Sequence, residues 1–134
     1  MKFEYNLTDR KTYTYSEYRA LIDSLRADNK TTGDNHSGAM LGHTNMNITR
    51  MNRLDKKTII IEELASKIKA SGEQTWIVLS EAWCGDVAQN LPYLNKLAEL
   101  NSKITLTIIL RDENLDIMDD FLTNGGRSIP KVIA

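Results

Sequence analysis

The chain has 134 residues, 41% hydrophobic and 26% charged, with 17 basic against 18 acidic side chains and one cysteine. That profile fits a single soluble globular domain whose core needs neither disulfide nor metal. A net charge of −1 offers no global attraction to nucleic acid or anionic membrane, and the apolar runs at 76–79 and 104–110 are too short to span a bilayer. The N-terminal MKFEYNLTDR lacks the apolar stretch of a signal peptide, so a cytoplasmic, reducing setting is expected.

Residues 14–28 predict an amphipathic helix, with Thr14 and Glu17 as a capping box and Tyr18, Leu21, Ile22 and Leu25 at helical spacing. The polar stretch TTGDNHSG at 31–38 reads as a loop. A weaker helix is expected over 44–55, with Ile48, Met51 and Leu54 on one side, and Arg50, Arg53, Lys56 and Lys57 forming a solvated basic face. The β-branched run 59–61 predicts a short strand leading into a helix over 62–70. Apolar residues without alternation at 76–79 predict a strand buried on both faces. A helix over 85–100, a strand over 104–110 and a helix over 113–122 capped by Asn124-Gly125 complete the pattern. This alternation implies a mostly parallel sheet covered by helices, with a helical N-terminal extension over 1–57 and an α/β core over 58–134.

Local chemistry concentrates at Trp83-Cys84-Gly85-Asp86, where a buried strand gives way to a helix. A thiol there lies at the positive end of a helix dipole, beside backbone N–H groups that favour the thiolate. Pro92 falls inside the same helix, and Arg127-Ser128-Ile129-Pro130 returns the chain toward the sheet after a Gly-Gly turn. His36 and His43 match no compact metal-ligand spacing, so no metal or other cofactor is expected. Neither histidine is placed by any motif to act as a base for Cys84.

Trp-Cys-Gly, a proline eight positions after the cysteine, and an Ile-Pro whose proline follows it by 46 positions resemble the thioredoxin family. A more detailed similarity, in WCGDVAQNLP and RDENLDIMDDFLTNGGRSIPK, is to a branch of thioredoxin-like bacterial proteins. The resemblance covers about residues 58–134. It implies a three-layer α/β/α fold with a mixed, mostly parallel central sheet. It also implies that Cys84 is the nucleophile, Trp83 its flanking tryptophan, Pro92 the helix-kinking proline and Pro130 a cis-proline opposite the thiol. Gly85, Asp86 and Ile129 would join Trp83 and Pro130 in holding an extended substrate.

Three departures shape the functional expectation. Val87 stands where the family has its second cysteine, so a mixed disulfide at Cys84 would need an external thiol for release. Val78 holds the position of the buried strand carboxylate found in many thioredoxins, leaving Glu81 and Asp86 as the nearest acids, whose charge would oppose the thiolate. The sequence also stops four residues after Pro130, so the C-terminal strand and helix of the fold are expected to be missing. The strand over 131–134 should pair with 76–80 and leave an open edge that a continuation of the chain or a second copy would cover. The leading expectation is monothiol thiol–disulfide exchange through Cys84 with protein or low-molecular-weight thiols and disulfides. The alternative is a non-catalytic peptide-binding module on the same groove. A glutaredoxin-like role, including shared iron–sulfur ligation, ranks third.

Overall fold

A computed structural model describes residues 3–134. The elements run α1 (Tyr15–Ala27), α2 (Gly38–Lys57), α3 (Glu62–Lys69), β1 (Gln74–Ser80), α4 (Gly85–Glu99), β2 (Ile104–Leu110), α5 (Leu115–Asp119) and β3 (Lys131–Ile133), with a 3-10 turn at Arg111–Glu113 before α5.

The expected capping box opens α1: Thr14 accepts from the Glu17 N–H while the Glu17 carboxylate accepts from the Thr14 N–H. The second helix begins six residues before the expected position 44, because Ser37 caps it at Met40 and two glycines in its first turns carry no apolar signal. The helix expected over 113–122 shrinks to the five residues of α5. Its supposed cap, Asn124-Gly125, has positive φ at both residues and closes a tight turn in which Thr123 and Gly126 exchange backbone hydrogen bonds, the conformation Asn-Gly favours between antiparallel segments.

The sheet has the order β2-β1-β3. β1 pairs parallel with β2 from Gln74↔Ile104 to Ser80↔Leu110, and antiparallel with β3 through Ile77↔Ile133, Val78↔Val132 and Leu79↔Lys131. Residues Trp76 to Ser80 are all buried, which places covering structure on both faces of the central strand.

The strand expected over 59–61 does not form. Ile59 is 86% exposed and Ile61 caps α3, while Ile60 packs near Trp76, Leu97, Ala98 and Ile104. A β-branched run becomes a strand only where a sheet edge is free to accept it. Part of the outer edge of β2 is taken by Tyr13, which exchanges two 2.8 Å backbone hydrogen bonds with Ile108. The N-terminal segment thus adds to the sheet at this point, and residues 59–61 do not.

One large core cluster joins Tyr15, Tyr18 and Ile22 of α1 to Met51 of α2, the strand residues Ile77–Leu79 and Ile108–Leu110, Val87, Ala88 and Leu91 of α4, and Ile117 and Met118 of α5. A second packs Leu64 and Ile68 of α3 against Trp76, Leu97 and Ala98. The extension and the core therefore share one apolar interior. Among the described residues, no helix is long and apolar enough to cross a membrane.

Candidate functional site

β1 ends at Ser80, and the next four residues turn the chain into α4, with the Cys84 N–H donating to the Glu81 carbonyl at 3.2 Å. Cys84 is the N-cap of α4, with extended backbone (φ −85°, ψ 120°). Its carbonyl accepts from the Ala88 N–H, and its side chain makes no cap bond. The thiol is consequently free to point elsewhere. Sγ lies 3.7 Å from the Ile129 carbonyl oxygen, toward which it donates. The Leu79↔Lys131 pairing delivers Ile129 and the cis Ile129–Pro130 peptide to this point, because β3 starts immediately after Pro130.

Trp83, Cys84, Gly85 and Pro130 are half-buried, Asp86 is exposed and Ile129 is buried. Val87, one turn into α4, is 1% exposed and packed in the main core. Pro92 is buried within the same helix. His36 accepts the Thr31 N–H at Nδ1, and no group of three or more potential metal ligands gathers among the described residues.

The turn before Cys84 is held by the N-terminal extension. The Ala82 N–H donates to Thr32 Oγ1 at 2.8 Å, and Asn47 Nδ2 donates to the Ala82 carbonyl at 2.9 Å. Thr31, one residue earlier, shares a 2.6 Å hydroxyl hydrogen bond with Thr44 of α2. Gly33 passes over the turn at φ +79°, where a Cβ would meet Asp112 Oδ2 at 3.1 Å, Glu81 Oε1 at 3.5 Å and Trp83 Nε1 at 3.6 Å. Only glycine combines that backbone with that closeness.

Glu81, expected only as a nearby acid, is fully buried. Burial pushes its carboxyl above the ordinary range, opposed by the neighbouring Thr32 hydroxyl and by the Asp112 N–H, which donates to Oε2 at 3.1 Å. Oε1 has no hydrogen-bond partner among the described residues, nor has the hydroxyl of fully buried Tyr18. Tyr18 is held far above its ordinary value, first by burial and then by the charges of Glu81 and Cys84. On the other side of the site, the Arg111 guanidinium lies 4.9 Å from the Trp83 ring centroid and donates to the Arg127 carbonyl at 3.2 Å. One side chain thereby ties Trp83 to the segment carrying Ile129 and Pro130.

The basic face expected on α2 divides in two. Arg53, Lys56 and Lys57 are exposed, whereas Arg50 is half-buried. Its Nη1 donates to Asn47 Oδ1 at 3.1 Å and lies 3.2 Å from where a Cβ on Gly85 would sit. Sequence reasoning missed Thr32, Asn47, Arg50 and the burial of Glu81. For Asn47 a signal existed: Thr44, Asn47 and Met51 share one face at helical spacing, and all three are buried, so the polar pair interrupts an inward stripe.

The family model of thioredoxin matches residues 33–134. The chain belongs to the thioredoxin family. No curated protein matches the sequence. Among solved structures, a Pseudomonas aeruginosa protein of unknown function is 19% identical with a TM-score of 0.53, the alignment covering 90% of this chain and 69% of the other. An HIV epitope scaffold matches with the same identity, coverage and TM-score. These likenesses establish a shared fold and carry no activity.

Proposed function

We propose that this protein performs monothiol thiol–disulfide exchange through Cys84. The observation that carries the reading is the half-buried Cys84 at the head of α4, its Sγ 3.7 Å from the Ile129 carbonyl and with no cap bond of its own. In the exchange, the Cys84 thiolate attacks one sulfur of a disulfide, the new Cys84 sulfur–sulfur bond forms as the old one breaks, and the leaving thiolate takes up a proton. Val87 in the core supplies no second thiol, so release falls to an external thiol. The partners on this reading are protein or low-molecular-weight thiols and disulfides in a reducing cytoplasm. On this reading Trp83, Gly85, Asp86, Ile129 and Pro130 hold the substrate against the reacting sulfur.

The open outer edge of β3, where Val132 is 41% exposed, supports an extended peptide or a second copy pairing there. It equally suits the alternative of a non-catalytic binding module.

The test is intact mass after incubation with hydroxyethyl disulfide. The exchange reading expects one mercaptoethanol adduct on Cys84, removed by added thiol and abolished in Cys84→Ser. A native protein that forms no adduct, while the urea-unfolded chain does, refutes it in favour of the binding module.

A further inference from the structure

The basic residues of α2 line an open cleft of about 500 Å³, walled by Arg50, Arg53, Leu54, Lys57 and Thr58 and by Gln89 of α4. Arg50, Arg53 and Lys57 follow at spacings of three and four, which puts three cations on one helical face. No carboxylate lines the cleft, and none of the three forms an ion pair among the described residues. Clustered like charges without counter-charge raise one another's energy, a cost that an anion in the cleft would relieve. The cleft also borders the helix turn that follows the cysteine. Gln89 lies one turn beyond Gly85 on α4, and Arg50 touches both the cleft and Gly85, the residue after Cys84.

We infer that this cleft is the recognition site for a carboxylate on the small disulfide or thiol that exchanges with Cys84. Asn47 orients the inner cation by accepting from Arg50 while anchoring Ala82, so the same side chain sets the cleft and the active turn in register. Arg53 and Lys57 provide the outer charges, and Thr58 and Gln89 offer neutral hydrogen bonds at the rim. The cleft has room for a small ligand bearing one or two carboxylates.

The inference rests on the exchange reading for its consequence, but carboxylate binding can be measured without it. In the kinetic arm, adduct formation on Cys84 is followed with dithiodipropionate, a dianion, and with hydroxyethyl disulfide, which is neutral. Each rate is divided by that of free mercaptoethanol with the same reagent. The dianion is expected to be favoured about tenfold, within the usual effect of a charged cleft on encounter, and 1 M salt should erase the preference because the screening length falls to about 3 Å. Arg53→Gln combined with Lys57→Gln should cut the anion-to-neutral ratio by about the same factor, while Lys103→Gln on the exposed surface leaves it unchanged.

In the binding arm, Cys84→Ser is titrated with glutarate and followed by amide NMR. Salt-sensitive saturating shifts at Arg53, Lys57 and Gln89 support the inference. A ratio near one, a ratio that the double variant does not lower, or an absence of localised shifts overturns it. If Cys84 forms no adduct with either reagent, the exchange reading fails, and the NMR titration still decides whether the cleft takes a carboxylate.

Discussion

Asn47→Ala tests whether the N-terminal extension controls the turn before Cys84. Asn47 is 1% exposed and Ala82 is 2% exposed, so removing the carboxamide leaves the Ala82 carbonyl without its 2.9 Å donor and without access to water. An unsatisfied buried carbonyl costs about 1–3 kcal/mol. The lost acceptor for Arg50 adds little, because the guanidinium is half-buried and can turn to solvent. With the small void left by the side chain, the total is about 2–3 kcal/mol. For a chain of this size that corresponds to a fall in Tm of about 8–12 °C. Thr32→Val removes the acceptor of the Ala82 N–H on the other side of the same residue. The two variants should therefore combine non-additively, with a coupling of about 0.5 kcal/mol or more. Urea unfolding gives the energies, and native-state alkylation of Cys84 by iodoacetamide reports the turn itself, expected to quicken several-fold as the turn opens locally. A cost below about 0.5 kcal/mol with an unchanged alkylation rate would refute the idea that α2 anchors the turn.

Glu81→Gln should alter the pH dependence of stability. Because burial raises the folded-state carboxyl above its ordinary 4.5, the folded form binds the proton more tightly; the parent therefore loses stability as pH climbs from about 4.5 through the raised value. The difference between variant and parent in urea unfolding should shift in the variant's favour over that window, and a constant difference from pH 4.5 to 8 would show that the carboxylate is not penalised. Val87→Cys should create an internal resolving thiol one helical turn from Cys84, so that reduction of a protein disulfide with a thiol reductant proceeds by release from within. Equal turnover in the parent would mean that another group resolves the intermediate. Tyr18→Phe removes a buried hydroxyl that has no partner among the described residues and is expected to be neutral or to stabilise by up to about 1 kcal/mol; a loss above about 1 kcal/mol by thermal unfolding would reveal a hydrogen bond to that hydroxyl.

Much of this protein follows from local pattern. The capping box, the buried strand at 76–79, the strand at 104–110 and the helix opening at Gly85 depend on nearest neighbours and periodicity, and they form within a residue or two of where those rules put them. The pairing of Lys131–Ile133 with the central strand was likewise legible, since an apolar strand with a vacant side next to Cys84 needs a partner. Tertiary competition decided the rest. Residues 59–61 have strand composition but pair with no strand: Ile60 packs instead on the second core cluster, and the bridge on the β2 edge is made by Tyr13 with Ile108, so composition alone did not place them in the sheet. Asn124-Gly125 reads as a helix cap or as a tight turn, and only where α5 stops selects between them. The burial of Glu81 and the joining of Thr32 and Asn47 at Ala82 link residues 35 to 50 positions apart, and no periodicity records contacts at such separations. Sequence therefore determined that Cys84 stands at a strand-to-helix junction. The folded chain alone determined what surrounds it, because burial, charge and hydrogen bonding at that junction are set by elements that meet only in three dimensions.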